Sequence, residues 1–175
     1  MIKGYSNTAH LVLCGLFAAL TAICSYINIP LGFTPIPMNL ATLAVFLAGG
    51  LLGKKYGTIS ILVYVLMGAV GIPVFAGFQA GVGVLAGPTG GFLLGYIAAA
   101  FITGTFLQRA SSLQNIGGML AGQVACYLLG ILWFMFITGA GIGVALISCV
   151  LPFIPGDLVK IAVSFLLIKR LRKNL

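Results

Sequence analysis

Acidic residues are almost absent from this chain. Asp157 is the only Asp or Glu among 175 residues, and charged residues of both signs make up 6%, whereas soluble domains average about 25%. Hydrophobic residues reach 61%, and the mean hydropathy is +1.22. A soluble domain with a charged surface is therefore excluded, and we expect an integral membrane protein of the all-α class in the lipid bilayer.

Residues that carry enzymatic or metal chemistry are also scarce. The four cysteines have no paired spacing, and the one histidine, His10, lies near the N-terminus. Neither a disulfide framework nor a metal site is predicted, and no second acid, His or Cys accompanies Asp157 as a catalytic set. The Gly-x-x-x-x-Gly-Lys-Ser/Thr pattern of ATP-binding loops is missing, and no cofactor is expected. An intramembrane enzyme is thus the least favoured class, and a small channel subunit is disfavoured because one ion pair makes no ring of pore charges.

The net charge of +8 is placed at the ends of apolar segments. Lys54, Lys55, Arg109 and the run at 169–173 follow predicted helices, and Lys3 precedes the first one. Positive charge in these places orients membrane helices, and it gives no reason to expect nucleic acid as a partner. We therefore predict that both termini are cytoplasmic.

Six helices fill the chain as a single transmembrane domain, at about 20 residues per span. Prolines keep residues 30–37 non-helical, and residues 73–91 are rich in glycine yet apolar. We expect this glycine-rich segment to be a non-helical loop that folds back over a site on the outer face, although a plain surface loop is the alternative. The predicted helices are approximately 9–29, 38–52, 56–72, 90–107, 113–137 and 155–169.

Asp157 and Lys160 form an isolated charged pair in an apolar stretch. Pro155 and Gly156 favour a helix start there, and Asp157 is expected to accept from the free N–H groups of its first turn. A spacing of three puts both charges on one helix face. Because a charge at a helix centre in lipid costs about 2.5 to 3.5 kcal/mol, such residues usually face a protein-lined cavity and mark function. A structural pair that tethers the last helix is the alternative.

Helix 1 carries the pattern Ala18-x-x-x-Ala22. Small residues four apart let another helix approach closely. The pattern alone leaves open whether that helix belongs to a partner or to this chain.

Segments throughout the chain, in order, resemble one known family. They are residues 32–37 (GFTPIP), 43–49 (LAVFLAG), 71–77 (GIPVFAG), 83–91 (GVLAGPTGG) and 153–160 (FIPGDLVK). Together they resemble the BioY family, the biotin-binding substrate-specific components, or S components, of energy-coupling-factor (ECF) vitamin transporters. One departure follows Pro37, where a Thr or Ser and then a Gln are expected in many relatives and this chain has Met38-Asn39-Leu40-Ala41-Thr42. Ala41 offers no polar contact there, which leaves Asn39 as the substitute.

The resemblance implies a six-helix S-component bundle with a glycine-rich outer loop between helices 3 and 4. It implies a high-affinity biotin site near the outer face, in the cytoplasmic membrane of a prokaryote. The implied partners are a transmembrane coupling protein, which would dock on Ala18 and Ala22, and two ATPase subunits that hydrolyse ATP. An S component for thiamine or riboflavin is the alternative.

A biotin site needs polar groups for the ureido head and the carboxylate tail, and apolar walls for the ring. In one arrangement, Lys160 binds the carboxylate. In the other, Asp157 and Lys160 both bind the ureido group, and backbone amides of the glycine-rich loop bind the carboxylate. We favour the second arrangement, because adjacent opposite charges match a donor and acceptor edge. The expected site residues are Asp157, Lys160, Gln79, Asn39, Phe75, Phe78, Tyr96, Gly83, Gly87 and Thr89.

Overall fold

The computed structural model describes residues 7–107 and 112–174, and its architecture is helical. The expected charges at Lys3 and Arg109 lie outside the described residues. The all-α class is confirmed. The helices are α1 Asn7–Tyr26, α2 Ala41–Ala69, α3 Val82–Leu85, α4 Gly90–Phe106, α5 Ser112–Thr138, α6 Ile142–Cys149 and α7 Ile154–Asn174, with strands β1 Asn28–Ile29 and β2 Met38–Asn39 and a 3₁₀ turn at Ala76–Phe78.

Helix α2 is broken at Gly53. This residue has φ 78° and ψ −179° inside the element, a conformation that favours glycine. The predicted separation of two helices near residue 53 is therefore present, but the loop expected at residues 53–55 is not. Lys54 and Lys55 continue directly into the second half of α2.

Several predicted boundaries need correction. Helix α1 ends at Tyr26 rather than at residue 29, because β1 pairs with β2, Asn28 opposite Asn39 and Ile29 opposite Met38. This ribbon brackets the proline loop. The glycine-rich segment is not wholly non-helical, since it holds the 3₁₀ turn and α3. Helix α7 runs on to Asn174, beyond the predicted end at residue 169.

Helix α4 lies between α2 and α5 at close range. A Cβ at Gly49 of α2 would lie 2.6 Å from the Ala100 carbonyl oxygen, and one at Gly95 would lie 2.9 Å from the Cα of Cys126. Glycine at these points lets the helix backbones approach, as is common between membrane helices. The backbones of α2, α4 and α5 therefore pack closely against one another.

Ala18 and Ala22 lie inside the chain. Their exposed fractions are 0% and 6%, and both belong to a buried cluster that includes Ala41, Val45 and Ala48 of α2. A partner protein cannot contact them in this conformation. Their small side chains instead let α1 pack against α2, the alternative that the sequence left open.

Large apolar side chains cover the outside of the bundle. Leu132 and Phe136 of α5 are 64% and 81% exposed, as expected where lipid replaces water. By length and composition, Asn7–Tyr26 and Ser112–Thr138 can each cross a membrane. The helices Ile142–Cys149 and Ile154–Lys173 are bent by 48° relative to each other, and if they form one broken span, the described residues contain three spans. The structure is that of a multi-pass membrane protein.

Candidate functional site

A cavity of about 280 Å³ lies among the glycine-rich segment, the β1–β2 ribbon and helices α2, α4, α5 and α7. Three expected site residues, Phe78, Gly83 and Gly87, do not line it. The other seven do, and they are Asp157, Lys160, Gln79, Asn39, Phe75, Tyr96 and Thr89.

Asp157 is buried and points towards α5. Its Oδ1 lies 2.5 Å from Lys160 Nζ, and its Oδ2 accepts hydrogen bonds from Gln123 Nε2 at 2.7 Å and from the Tyr127 hydroxyl. The expected contact with N–H groups of its own helix turn is not what the structure shows. The carboxylate is held instead by side chains from α5, because burial makes an unpartnered charge costly.

Two buried oxygen atoms at this cavity wall retain acceptor capacity. Among the described residues, Asp157 Oδ1 is engaged only by the ion pair with Lys160, which leaves one of its two lone pairs, and Gln123 Oε1 has no hydrogen-bond partner. Buried polar atoms are normally hydrogen-bonded. The pair therefore suits a ligand that offers two N–H donors.

Lys160 fastens α7 to the start of α2. Its Nζ donates to the Asn39 carbonyl at 2.8 Å and to the Thr42 hydroxyl at 3.1 Å, in addition to its ion pair with Asp157. An ammonium group has three protons, so each has an oxygen partner. Lys160 is thus an internal link of the site, and its side chain is only 8% exposed.

Asn39 ends β2, two residues before α2, and lines the cavity. Its Oδ1 accepts from the Ala41 N–H at 3.0 Å, a side-chain turn that orders the helix start. The Asn39 amide and the Tyr96 hydroxyl beside it are neutral donors at the same wall.

Aromatic side chains form the apolar walls. Phe75 is 1% exposed and meets the Tyr64 ring edge to face, with the centroids 5.7 Å apart. Its ring occupies the space that a Cβ on Gly68 would fill, so a glycine in α2 makes room for it. Phe92 and Phe153 complete walls that suit a flat apolar ring system.

The glycine-rich segment is tied down at both ends. At its front, Ser25 Oγ donates to the Val74 carbonyl at 2.6 Å, and Tyr26 Oη donates to the Pro73 carbonyl at 2.7 Å. The ring of Tyr26 also stacks on Phe78, with centroids 4.3 Å apart. Phe78 has φ 59° and is 65% exposed, so it anchors the segment from outside the cavity.

At its rear, the same segment is joined to α5. The indole N–H of Trp133 donates to the Gly87 carbonyl at 3.0 Å. Gly83 faces open space. The segment thus covers the cavity through Ala76, Gly77 and Gln79. Gly83 and Gly87, which were expected to approach a ligand, do not line the cavity.

Three residues that hold the charged pair were not among the residues expected from the sequence. Gln123, Tyr127 and Thr42 contact it across 34, 30 and 118 positions, and local patterns do not encode such distances. One usable signal was Gln123 itself, an amide inside an apolar helix. Polar residues within membrane helices often mark function.

The chain matches the model of the BioY family over residues 1–175. It belongs to the BioY family. A biotin transporter BioY of Thermotoga maritima is 41% identical over 164 residues, which cover 94% of this chain and 96% of that protein. A probable biotin transporter BioY of Pyrococcus horikoshii is 40% identical over 162 residues, 93% and 95% of the two chains. The family expected from the sequence is confirmed.

A solved structure related to this BioY chain has the same fold. It is the S-component for biotin from an ECF-type ABC transporter, with a TM-score of 0.89 and 30% identity over 97% of this chain and 95% of that one. The S-component type of bundle is therefore confirmed.

Proposed function

We propose that this chain binds biotin in the cavity and acts as the high-affinity S component of an ECF-type vitamin uptake transporter. The observation that carries the proposal is a cavity with aromatic sides whose lining includes Asp157 and Gln123, each with a buried oxygen, Oδ1 and Oε1, that retains acceptor capacity. The ureido ring of biotin has two N–H donors and an apolar body. Membership of a family whose similar relatives are named as biotin transporters supports the same ligand.

The head of biotin fits the buried end of the cavity. Its two N–H groups would donate to Asp157 Oδ1 and Gln123 Oε1. Its carbonyl oxygen would accept from the Asn39 amide or the Tyr96 hydroxyl. Lys160 orients Asp157 and Asn39 instead of meeting the ligand directly, which modifies the arrangement that we favoured from the sequence.

Equilibrium titration of the purified chain tests the proposal. Biotin should bind at one site, whereas thiamine and riboflavin, with different donor patterns and larger or charged rings, should not compete with it. Absence of biotin binding by a folded chain, or tighter binding of either comparator, would contradict the proposal.

Transport would require a coupling module. We propose that a transmembrane coupling protein docks on the exposed face of α1, with two ATPase subunits supplying ATP hydrolysis. Gly15 and Ala19 lie four apart on that face, and a Cβ on Gly15 would meet open space. They offer the close helix approach that Ala18 and Ala22, being buried, cannot offer.

The proposed setting is the cytoplasmic membrane of a prokaryote with both termini inside. The support is the placement of positive charge at Lys54, Lys55 and residues 169–173, which the positive-inside rule assigns to the cytoplasm. The proline loop, the glycine-rich segment and the cavity would then lie at the outer face.

A further inference from the structure

We propose that this site selects the uncharged head of its ligand and is indifferent to the charge of the tail. The inference rests on the proposed binding of biotin and extends the substrate class. Biotin derivatives whose carboxylate is converted to a neutral amide or ester should bind as well as biotin does.

The first step is the state of Lys160. Its ammonium already has three oxygen partners, namely Asp157 Oδ1 at 2.5 Å, the Asn39 carbonyl at 2.8 Å and the Thr42 hydroxyl at 3.1 Å. A ligand carboxylate could reach this ammonium only by displacing one of them. Displacing Asp157 would leave a buried carboxylate without its counter-charge, which is strongly unfavourable.

The second step is the charge of the whole lining. Among the described residues around the cavity, Asp157 and Lys160 are the charged ones, and their charges cancel. Asp157 also has acceptor capacity left, so the buried end favours N–H donors over an anion. The cavity therefore supplies no unpaired positive charge for a carboxylate tail.

The third step is the more exposed end of the cavity lining. It includes the uncharged polar side chains of Gln79 and Thr89 on the glycine-rich segment and of Asn28 on the ribbon. The Asn28 amide lies beside Gly77, 3.8 Å from where a Cβ on that glycine would be. Amides and hydroxyls can donate to the carbonyl of a carboxamide as well as to a carboxylate oxygen, and the stronger hydrogen bonds to the carboxylate are offset by its larger desolvation cost. The tail is therefore assigned to this end.

A site with a cation that binds the carboxylate would distinguish biotin from its carboxamide. Removing a charge-assisted hydrogen bond lowers affinity by about tenfold or more. Without such a cation, replacing the carboxylate by a carboxamide should change affinity by less than about fivefold.

Calorimetric titration of the detergent-purified chain with biotin and with biotin carboxamide tests the inference. Dissociation constants within fivefold of each other are expected, and a carboxamide that binds more than fivefold more weakly than biotin would overturn the inference alone. If neither compound binds, the proposed biotin function fails and the inference fails with it. An analogue methylated on one ureido nitrogen should bind more than tenfold more weakly; unchanged affinity would overturn the assignment of the head to the buried end.

A variant with an added cation tests the position of the tail. Gln79→Arg places a guanidinium at the exposed end of the cavity, and it should make biotin preferred over its carboxamide by at least about fivefold. Equal affinities for the two compounds in this folded variant would overturn the assignment of the tail to the Asn28, Gln79 and Thr89 end.

Discussion

The ion pair of Asp157 and Lys160 persists in an apolar bundle because polar neighbours satisfy it from three elements. Gln123 and Tyr127 on α5 hold the carboxylate, while Asn39 and Thr42 hold the ammonium. The sequence identified the pair, since an isolated acid beside a lysine is conspicuous in lipid. It did not identify the partners, because only tertiary packing brings them there.

Loss of one charge should destabilise the chain. Asp157→Asn or Lys160→Met leaves the other charge buried at an exposed fraction of 6% or less, which costs about 3 to 5 kcal/mol. The double variant should recover part of this loss while biotin affinity stays low, because the Asn amide offers one neutral acceptor oxygen in place of the two charged oxygens of the Asp157 carboxylate. Thermal unfolding in detergent, followed together with biotin titration, checks both statements.

The single variant at Lys160 separates a role in ligand binding from a purely structural role. If folded Lys160→Met binds biotin within about threefold of the wild type, a difference below 1 kcal/mol, Lys160 does not orient the groups that meet the ligand. It would then be the structural tether considered from the sequence.

Within the glycine-rich segment, shape depends on contacts that its own sequence does not specify. Its apolar, glycine-rich character indicated a fold-back over a site. The structure adds the ties to Ser25, Tyr26 and Trp133. Gly68, the glycine that makes room for the Phe75 ring in the cavity wall, belongs to α2, and no local sequence pattern marks it.

A matched pair of glycine variants tests this account. Gly68→Ala should push the Phe75 ring out of position, because the added methyl would overlap it. Biotin affinity should fall by about tenfold or more. Gly83→Ala adds the same methyl in open space and should leave affinity within about twofold. Titration of both variants with biotin measures the two affinities. Equal affinities would show that Phe75 does not form a wall of the binding site.

Helix α1 offers a second matched pair. Ala19→Phe places a ring on the exposed face and should block co-purification with the coupling protein while biotin binding persists. Ala18→Phe inserts the same ring into a fully buried position and should lower stability by about 1 to 3 kcal/mol or more. Intact assembly of the Ala19→Phe variant would rule out the proposed docking face.

The bundle as a whole was predictable in class and in most breakpoints, since prolines, glycines and charge clusters mark where helices end. The faces of the helices were not predictable. Lipid is as apolar as the protein core, so hydrophobic periodicity does not distinguish inside from outside. This is why the sequence alone could not assign the small residues of α1 to a face: Ala18 and Ala22 are buried against α2, whereas Gly15 and Ala19 are exposed.

Orientation across the membrane can be tested by cysteine labelling of intact cells with an impermeant reagent. The four native cysteines are buried and free, so their background should be low. Phe33→Cys, at a position 65% exposed in the proline loop, should react from outside. Leu171→Cys, at a position 42% exposed near the end of α7, should react only after lysis. The reverse pattern would invert the topology and move the cavity to the cytoplasmic face.

The tie between Trp133 and Gly87 has a spectroscopic consequence. Trp133 is the only tryptophan in the chain, and its indole N–H bonds to the segment that covers the cavity. Indole emission depends on hydrogen bonding and on the polarity around the ring. The native fluorophore therefore reports any change at the rear half of that segment without an attached dye, and stopped-flow emission after mixing with biotin should time the response of this contact to the ligand.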